Sequence, residues 1–474
     1  MGIKKRLPNV FCLRTIAAMI LLGVFALGGL GGWLGFFVSI SVLVGLVFFL
    51  IMILRLDALV VTLIAGLHLY IDWYLGLHLV APFLAIVFLV LCYLHRKQGH
   101  RWTIPRALWL WIIFLLITVY PAWRGGLWMM YDAASFYPSD ILGALVMFWL
   151  GSIVVYDGAS LRFFFSFFAI MAFVLALHTL FQSMTGVIIF GSAHVDNFLS
   201  QADVAYYQMA GTDTHRTGSF FIDPNWNGAF FAMVFFLPLG LFVTSFALWK
   251  KIGWAIVMGV ILAALMLTYS TGAWAALLVG LAIFWVCGGD MRLRVLFPCC
   301  LLVVVVSIVV FAPSVVGLQL QHAAANDELS LRLAAWHTAL NIVAAFPLTG
   351  VGLGHQAYLI QSAAYRVPEQ FIPLSHPHDS YLELAAMAGL PVLFVFLTLL
   401  GRCLWFAWRN WLSAKASLRP LLGAGIAATM TLSANSISIN GWTHFALAMM
   451  GWLILGAIAA PFVDAESDMK TFVG

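Results

Sequence analysis

The sequence predicts an all-α fold: a polytopic integral membrane helical bundle of about 12–14 transmembrane helices, with a long outer loop that contains short amphipathic helices. Three observations support this prediction. Hydrophobic residues make up 64% of the 474 residues and charged residues only 9%, whereas charged residues are about a quarter of a soluble domain. Apolar runs recur along the whole chain, and many approach the roughly 20 residues that cross a bilayer. Segments of about ten alternating residues, the pattern of a membrane barrel, are absent from the sequence.

The predicted elements are about 14 apolar spans. The first follows Lys4, Lys5 and Arg6 but lacks a clear small-residue cleavage site, so it is interpreted as a retained anchor. The six cysteines lie in apolar segments or beside basic residues, which argues against a disulfide framework or a thiolate metal site. The spans cover roughly residues 15–30, 33–53, 57–71, 78–94, 107–122, 140–156, 162–185, 226–248, 253–269, 272–288, 295–312, 380–400, 420–437 and 443–461.

The arginine and lysine positions predict the orientation of the bundle. With the N-terminus in the cytoplasm, the outer side keeps four of the 23 Lys and Arg residues: Arg124, Arg216, Arg332 and Arg366. Positive residues concentrate on the cytoplasmic side of membrane proteins, and the reverse orientation would invert that rule. We therefore expect both termini in the cytoplasm. All four outer cations are arginine. This is either chance or a sign that guanidinium groups bind phosphate oxygens in a bidentate manner.

Two outer segments are long enough to carry a functional site, one from about Gly186 to Asn225 and one from about Ala312 to Asp379. No soluble domain is expected at either end, so any activity belongs to the bundle and these loops. We expect N-terminal transmembrane helices in residues 1–200, a core in residues 201–400 that includes the outer loop 313–379, and C-terminal transmembrane helices in residues 401–474.

The second outer loop is predicted to contain a helix that Asn326 or Asp327 caps and Pro347 ends. Its apolar residues recur at steps of three and four, which predicts one apolar face on the outer leaflet or against the bundle. The glycines that follow, from Gly350 to Gly354, favour a tight turn over a loop that cradles phosphate. The predicted apolar face consists of Leu329, Leu333, Trp336, Leu340 and Val343.

The tetrapeptide His376-Pro377-His378-Asp379 closes this loop and opens a long apolar stretch. A histidine at such a junction can accept a proton near neutral pH. A metal site is a weaker interpretation, because Pro377 makes the stretch extended and no partner motif such as Glu-x-x-His is present. Arg216 and Arg332 are two of the few cations on the same side. Each also fits an ordinary role, the first as an interfacial arginine that reaches lipid phosphates and the second as a solvated helix charge.

Three motifs follow one another on the outer side of the predicted bundle. They are residues 216–225 (Arg-Thr-Gly-Ser-Phe-Phe-Ile-Asp-Pro-Asn), residues 332–354 (Arg332, Trp336, then Pro-Leu-Thr-Gly-Val-Gly-Leu-Gly) and residues 378–391 (His-Asp-Ser-Tyr-Leu-Glu-Leu-Ala-Ala-Met-Ala-Gly-Leu-Pro). Together they resemble the O-antigen ligase and polymerase superfamily over about residues 200–400. Two positions depart from that family: Asp379 replaces the usual Asn, Ser or Gln after the family histidine, and Thr271 stands where relatives often carry arginine.

The resemblance implies glycan transfer from a polyprenyl-diphosphate-linked donor to an acceptor hydroxyl, on lipid A-core or on a growing glycan. It places the reaction at the periplasmic face of the bacterial inner membrane, which makes 313–379 a periplasmic loop. Membrane lipids are the other expected partners, and nucleic acid is not expected. Fixed arginines would serve in place of a metal, so no metal and no cofactor is expected.

The resemblance also implies roles for individual residues. His378 would take the proton of the attacking hydroxyl, and direct attack would invert the anomeric centre. Asp379 would orient His378 or bind the acceptor, with Asn225 and His376 as further support. The diphosphate, whose negative charge grows as it leaves, would be bound by Arg216 and Arg332, with Arg366 as an extra contact.

Two other functions stay open. A transporter of a small anion or of a lipid-linked sugar would carry ionisable groups in mid-span, yet Glu383 is the main one in the predicted spans, and no inverted repeat is visible. A structural membrane subunit would make the outer arginines and histidine dispensable. Ligase and polymerase share these motifs, so the sequence does not separate them.

Overall fold

A computed structural model of the chain describes residues 107–126, 141–155, 157–186, 206–208, 215–221, 223–287, 317, 328–370 and 372–460. These residues belong to one compact unit, Ile64–Gly474. The predicted spans 15–30, 33–53, 57–71, 78–94 and 295–312 lie outside the described residues, as do the predicted cap residues Asn326 and Asp327.

The described part of the chain is mostly helical, which confirms the all-α prediction. The β-structure in this part is one antiparallel pair of three-residue strands, in which Tyr207 lies opposite Arg216. Short 3-10 turns cover Ser219–Phe221 and Ser362–Tyr365. The helices and strands are α1 Leu108–Arg124, α2 Gly143–Val154, α3 Gly158–Thr185, β1 Tyr206–Gln208, β2 His215–Thr217, α4 Pro224–Val234, α5 Phe236–Thr244, α6 Leu248–Leu267, α7 Thr271–Cys287, α8 Glu328–Ala345, α9 His355–Gln361, α10 Ser380–Ala388, α11 Leu390–Ser413, α12 Arg419–Asn435 and α13 Phe445–Ala459.

Several of these helices are membrane spans by length and composition. Among the described residues, four stretches are long and apolar enough to cross a bilayer: α3, the α4–α5 pair, α6 and α11. Shorter apolar helices coincide with α1, α2, α7 and α13. Pro238 in α5 lacks the N–H that would donate to the carbonyl of Val234, which explains why α4 and α5 are separated at Phe235 within one apolar stretch. The helices confirm a membrane helical bundle.

The predicted single span over residues 380–400 is wrong, because two helices, α10 and α11, occupy it. Gly389 separates them with a φ of 92°, and the N–H of Leu390 donates to the carbonyl of Pro347 at 2.8 Å. A Cβ at Gly389 would collide with the carbonyl oxygen of Leu348, so this break requires glycine. The span therefore begins at Leu390, and His378 precedes a short helix instead of the span itself.

The loop helix α8 is present, and two leucines of its predicted apolar face do not pack against the bundle, which leaves the outer leaflet as the alternative for that face. Leu333 and Leu340 are 43% and 50% exposed. The buried face carries smaller side chains, which allow α8 to approach α10 and the 3-10 turn Ser362–Tyr365 closely. Residue spacing located the helix correctly, whereas side-chain size decided which face packs. The buried face consists of Ala334, Ala335, Thr338, Ala339 and Ile342.

The centre of the described bundle is α12, whose side chains are buried along most of its length. It packs against α4, α5, α7, α11 and α13. Helices α2 and α13 also pack against each other, and glycines bring their backbones together. A Cβ at Gly151 would meet the carbonyl oxygen of Leu453, and one at Gly456 would meet that of Phe148.

The two ends of helix α3 contact different groups of residues. Near its N-terminus, Arg162 donates to the carbonyl oxygens of Thr244 and Ser417, each at 3.3 Å. Near its C-terminus, Nδ1 of His178 lies 2.7 Å from the hydroxyl oxygen of Ser219. An α-helix rises about 24 Å between Arg162 and His178. Residues predicted on the inner and outer sides thus lie at opposite ends of this helix.

Candidate active site

Three residues that the sequence singled out from separate segments line one cavity. Arg216 of β2, Arg332 of α8 and His378, which precedes α10, surround a space of about 230 Å³. Two guanidinium groups beside an imidazole suit an anion that lies next to a hydroxyl about to lose its proton. The other described lining residues are Asp223, Pro224, Asn225 and Leu331.

Arg216 is fixed against the end of α6. Its Nε donates to the carbonyl oxygen of Thr268 at 2.9 Å, and its Nη2 donates to Oδ1 of Asn225 at 2.7 Å. Thr268 is the C-cap of α6, where a positive charge offsets the helix dipole. With 8% of its surface exposed, Arg216 is a built part of the cavity wall. Asn225, predicted as support, holds Arg216 in place.

The connection between α12 and α13, residues 436–444, holds further elements of the site. The carbonyl oxygen of Ser438 accepts from Nη1 of Arg332 at 2.9 Å. Oδ1 of Asn440 accepts from Nε1 of Trp226 at 2.7 Å. The start of α8, which carries Arg332, and the start of α4, whose Asn225 accepts from Arg216, are therefore both hydrogen-bonded to one short segment. This shared segment helps to fix the separation of the two arginines.

His378 has a strained backbone. Its φ is 55°, in the left-handed region, where non-glycine residues are uncommon although histidine is among the less rare. Its N–H donates to Nδ1 of His376 at 3.2 Å. On its other side, Oδ1 of Asp379 accepts from the N–H groups of Tyr381 and Leu382 at 2.8 and 2.9 Å and so caps α10. A turn and a helix cap thus impose the strain, as is common at functional sites.

Burial, together with the positive charges of Arg332 and His355, lowers the pKa of His378 to about 4. The imidazole is therefore neutral near pH 7 and able to accept a proton. Burial also lowers the pKa of His376 well below its usual value, with the neighbouring His378 acting in the same direction. The rings of His376 and His378 are 4.3 Å apart, centroid to centroid, at an angle of 63°.

A buried carboxylate lies beside the histidines. Glu383 has no exposed surface; its Oε2 accepts from the hydroxyl of Thr443 at 2.8 Å, and its Oε1 lies 3.2 Å from Nε2 of His355. The His355 ring lies 5.3 Å from that of His376. Because of the break before α11, Glu383 belongs to the short helix α10 and not to the span in which it was predicted. In the described ranges, no group of three or more His, Cys, Asp and Glu side chains is placed to hold a metal ion.

Three predicted residues, Asp379, Arg366 and His376, lie outside the described lining of the cavity. Asp379 caps α10. Burial raises the pKa of Asp379 to about 6, although the backbone N–H groups that donate to its side chain act in the opposite direction. Asn and Ser are equally good N-caps. An aspartate at this position can therefore cap the helix as well as the Asn or Ser that is usual in the family. Arg366 follows the 3-10 turn Ser362–Tyr365 as its C-cap, and its charge acts on the buried Tyr358.

The glycine-rich stretch after α8 is a packing turn. The N–H groups of Val351 and Gly352 donate to the carbonyl oxygens of Ala386 and Met387, both at 2.9 Å. A Cβ at Gly350 would collide with the backbone of Met387. These amides satisfy the end of α10, which confirms the tight-turn interpretation over a phosphate cradle.

Sequence reasoning missed Asp223, Leu331 and the 436–444 connection. Asp223 is the N-cap of α4, and Asp-Pro-Asn before an apolar run is the signal that could have marked it. The connection is a polar stretch, Ser-Ile-Ser-Ile-Asn-Gly-Trp-Thr-His, between two apolar helices. Nothing local shows that its carbonyl groups meet residues from α4 and α8, since those contacts are long-range.

A comparison with known families supports the general class. Residues 256–397 match the family model of the O-antigen ligase. The matched segment runs from inside α6 to inside α11, so it contains Arg332 and His378 and begins after Arg216. It confirms the resemblance to the O-antigen ligase and polymerase superfamily and supports O-antigen ligase-like glycosyl transfer, in a membrane, as the general activity. No curated protein matches the chain.

Proposed function

We propose that the chain transfers a glycan from a polyprenyl-diphosphate carrier to an acceptor hydroxyl at the periplasmic face of the bacterial inner membrane, with inversion and without a metal ion. The observation that carries the proposal is the cavity that Arg216, Arg332 and His378 share. The acceptor is lipid A-core for a ligase or a growing glycan for a polymerase. The core of the reaction lies in residues 201–400, including loop 313–379, between transmembrane helices in residues 1–200 and 401–474.

The arginines act on the leaving group. The diphosphate departs from the anomeric carbon with both electrons of the C–O bond, so its negative charge grows. Positive groups that are already in place stabilise such charge most, because they need no reorganisation during the reaction. Arg216, fixed by the Thr268 carbonyl and Asn225, and Arg332, fixed by the Ser438 carbonyl, meet that requirement.

His378 acts on the acceptor. As the acceptor oxygen bonds to the anomeric carbon, its proton passes to the neutral imidazole, which becomes an imidazolium. Attack on the side opposite the departing diphosphate inverts the centre. A bound anionic donor offsets the charge of Arg332 and so raises the pKa of His378 from its low value towards the working pH, where a general base is most effective.

The test uses the full-length protein in proteoliposomes with a polyprenyl-diphosphate glycan and an acceptor. His378→Asn keeps a residue that tolerates a positive φ, and it should reduce transfer by about 10²–10⁴-fold. Arg216→Lys and Arg332→Lys keep the charge but lose the guanidinium fork, so both should transfer more slowly. Arg402→Lys is the matched control, since Arg402 is exposed and stacks on Phe406. Normal transfer by the histidine variant would show that His378 is not the base. Normal transfer by both arginine variants would show that the arginines do not bind the diphosphate.

Two further readouts separate the alternatives. Substrate flux in proteoliposomes that lack any acceptor would favour a transporter. The glycan ladder of a deletion strain separates the two enzymes. Carrier-linked chains without surface-linked glycan indicate a ligase, and single repeat units indicate a polymerase.

A further inference from the structure

A carboxylate stands among the cations of the proposed active site. Asp223 lines the same cavity as Arg216, Arg332 and His378. Its Oδ1 accepts from the N–H of Asn225 at 2.6 Å, which fixes the carboxylate at the start of α4. Within the described part of the chain, the hydrogen bonds to this carboxylate come from backbone N–H groups at the start of its own helix.

Neither capping nor diphosphate binding explains a charge at this position. An N-cap needs one acceptor oxygen, which Asn or Ser supplies as well as Asp. A carboxylate beside a diphosphate site repels the anionic donor and lowers its affinity. Burial raises the pKa of Asp223, and the charges of Arg216 and Arg332 are among the groups that oppose this rise. Burying this acid in the cavity therefore has a cost, which a ligand group that donates hydrogen bonds would offset.

The chemistry of the donor supplies such a group. An ionised carboxylate accepts hydrogen bonds and donates none, so it matches hydroxyl groups and not phosphate oxygens. The sugar attached to the diphosphate carries its hydroxyls next to the anomeric carbon, within the reach of a cavity that holds the diphosphate. Asp223 lies two residues before Asn225, which positions Arg216. The carboxylate and the phosphate-binding guanidinium are thus built on the same short segment.

We propose that Asp223 binds hydroxyl groups of the first sugar of the lipid-linked donor and so holds the anomeric carbon between the arginines and His378. The inference rests on the proposed function and adds to it a donor-sugar contact. The site then has three parts with different chemistry: guanidinium groups for the diphosphate, a carboxylate for the sugar and an imidazole for the acceptor hydroxyl.

Asp223→Asn separates this role from the others in the full-length protein, because asparagine keeps the cap and removes the charge. The variant should bind inorganic pyrophosphate at least as tightly as the unaltered protein, since a repulsive charge is gone. Its kcat/KM for glycan transfer should fall roughly 10- to 100-fold, as expected for the loss of a hydrogen bond to a charged group. Asp223→Ser, a second cap without a carboxylate, should behave in the same way.

The control is Asp157→Asn. Asp157 caps α3 through the N–H of Ser160 at 2.7 Å, at the end of that helix remote from His178, so this variant should bind pyrophosphate and transfer glycan normally. Normal transfer by both Asp223 variants would overturn the sugar contact alone. Loss of pyrophosphate binding together with transfer would also overturn it, because Asp223 would then act through the arginines. An unaltered protein that transfers no glycan would overturn the proposed function itself, and this inference with it.

Discussion

The backbone N–H of His378 donates a hydrogen bond to Nδ1 of His376 at 3.2 Å. A side-chain acceptor two residues before the donating N–H is the geometry of an Asx turn, in which Asn or Asp usually supplies the acceptor. Here an imidazole does so, and the turn holds His378 at its φ of 55°. His376 is therefore a positioning residue: it acts through the backbone of the proposed base and stands outside the described lining of the cavity.

Replacing His376 tests this turn. His376→Ala removes the acceptor, and a neutral hydrogen bond of about 0.5–1.5 kcal/mol no longer favours the left-handed backbone, so kcat should fall about two- to tenfold with little change in KM. His376→Asn keeps an acceptor at the same separation and should recover most of the rate. Steady-state kinetics with saturating donor measure both. Equal losses in the two variants would show that the ring contact with His378, at 4.3 Å, matters more than the turn.

The pH dependence of transfer should report the charge state of His378. Only the neutral imidazole accepts a proton, so activity is lost as the pH falls through its pKa. That pKa is about 4 in the free protein, which places the acid limb of kcat/KM there. The donor's negative charge raises it in the complex, so the acid limb of kcat should lie at higher pH. Rate profiles over roughly pH 3 to 8 measure both limbs.

The buried Asp379 is the main competing source of an acid limb, because its pKa is raised to about 6. Asp379→Asn removes that titration and keeps the cap of α10. The limb of kcat assigned to His378 should persist in this variant. Its disappearance would reassign the limb to Asp379.

Glu383 should contribute to stability through its two contacts. Glu383→Ala removes the acceptor of the Thr443 hydroxyl and the carboxylate beside His355, which should destabilise the protein by about 1–3 kcal/mol. Glu383→Gln keeps an acceptor for Thr443 and should lose less. Unfolding midpoints in detergent compare the two. A Gln variant with normal stability and no transfer would instead place Glu383 in the chemistry.

The sequence predicts the membrane helices well because the bilayer constrains them strongly. A span must be about 20 residues long and apolar, and α3, α6 and α7 begin or end within a few residues of the predicted positions. The site was also accessible to sequence reasoning, since ionisable groups are rare in this chain. Arg216, Arg332 and His378 stood out for that reason, and the structure brings all three to one cavity.

What the sequence missed depends on backbone contacts between distant segments. The packed face of α8 is set by the small side chains that α10 can approach, so Leu333 and Leu340 remain exposed although their spacing is helical. The carbonyl of Ser438 holds Arg332, and every residue type has a carbonyl. The sequence therefore carries no signal for this contact. Asp223 had a local signal as a helix cap, but its place in the cavity depends on the approach of α8.

Replacing Gly389 should disturb the site, although Gly389 stands outside the described lining of the cavity. Gly389→Ala forces a Cβ onto a backbone with a φ of 92° and against the carbonyl oxygen of Leu348, so we expect a loss of about 1–3 kcal/mol or more. Because Gly389 joins α10 to α11, the same change should shift α10 and lower transfer. Gly401→Ala in α11 is the matched control: a Cβ there meets nothing within 4 Å, and alanine should stabilise the helix by about 0.5–1 kcal/mol. Thermal unfolding and transfer rates of the two variants test this prediction. Equal stability and equal transfer rates in the two variants would show that the α10–α11 break tolerates a side chain.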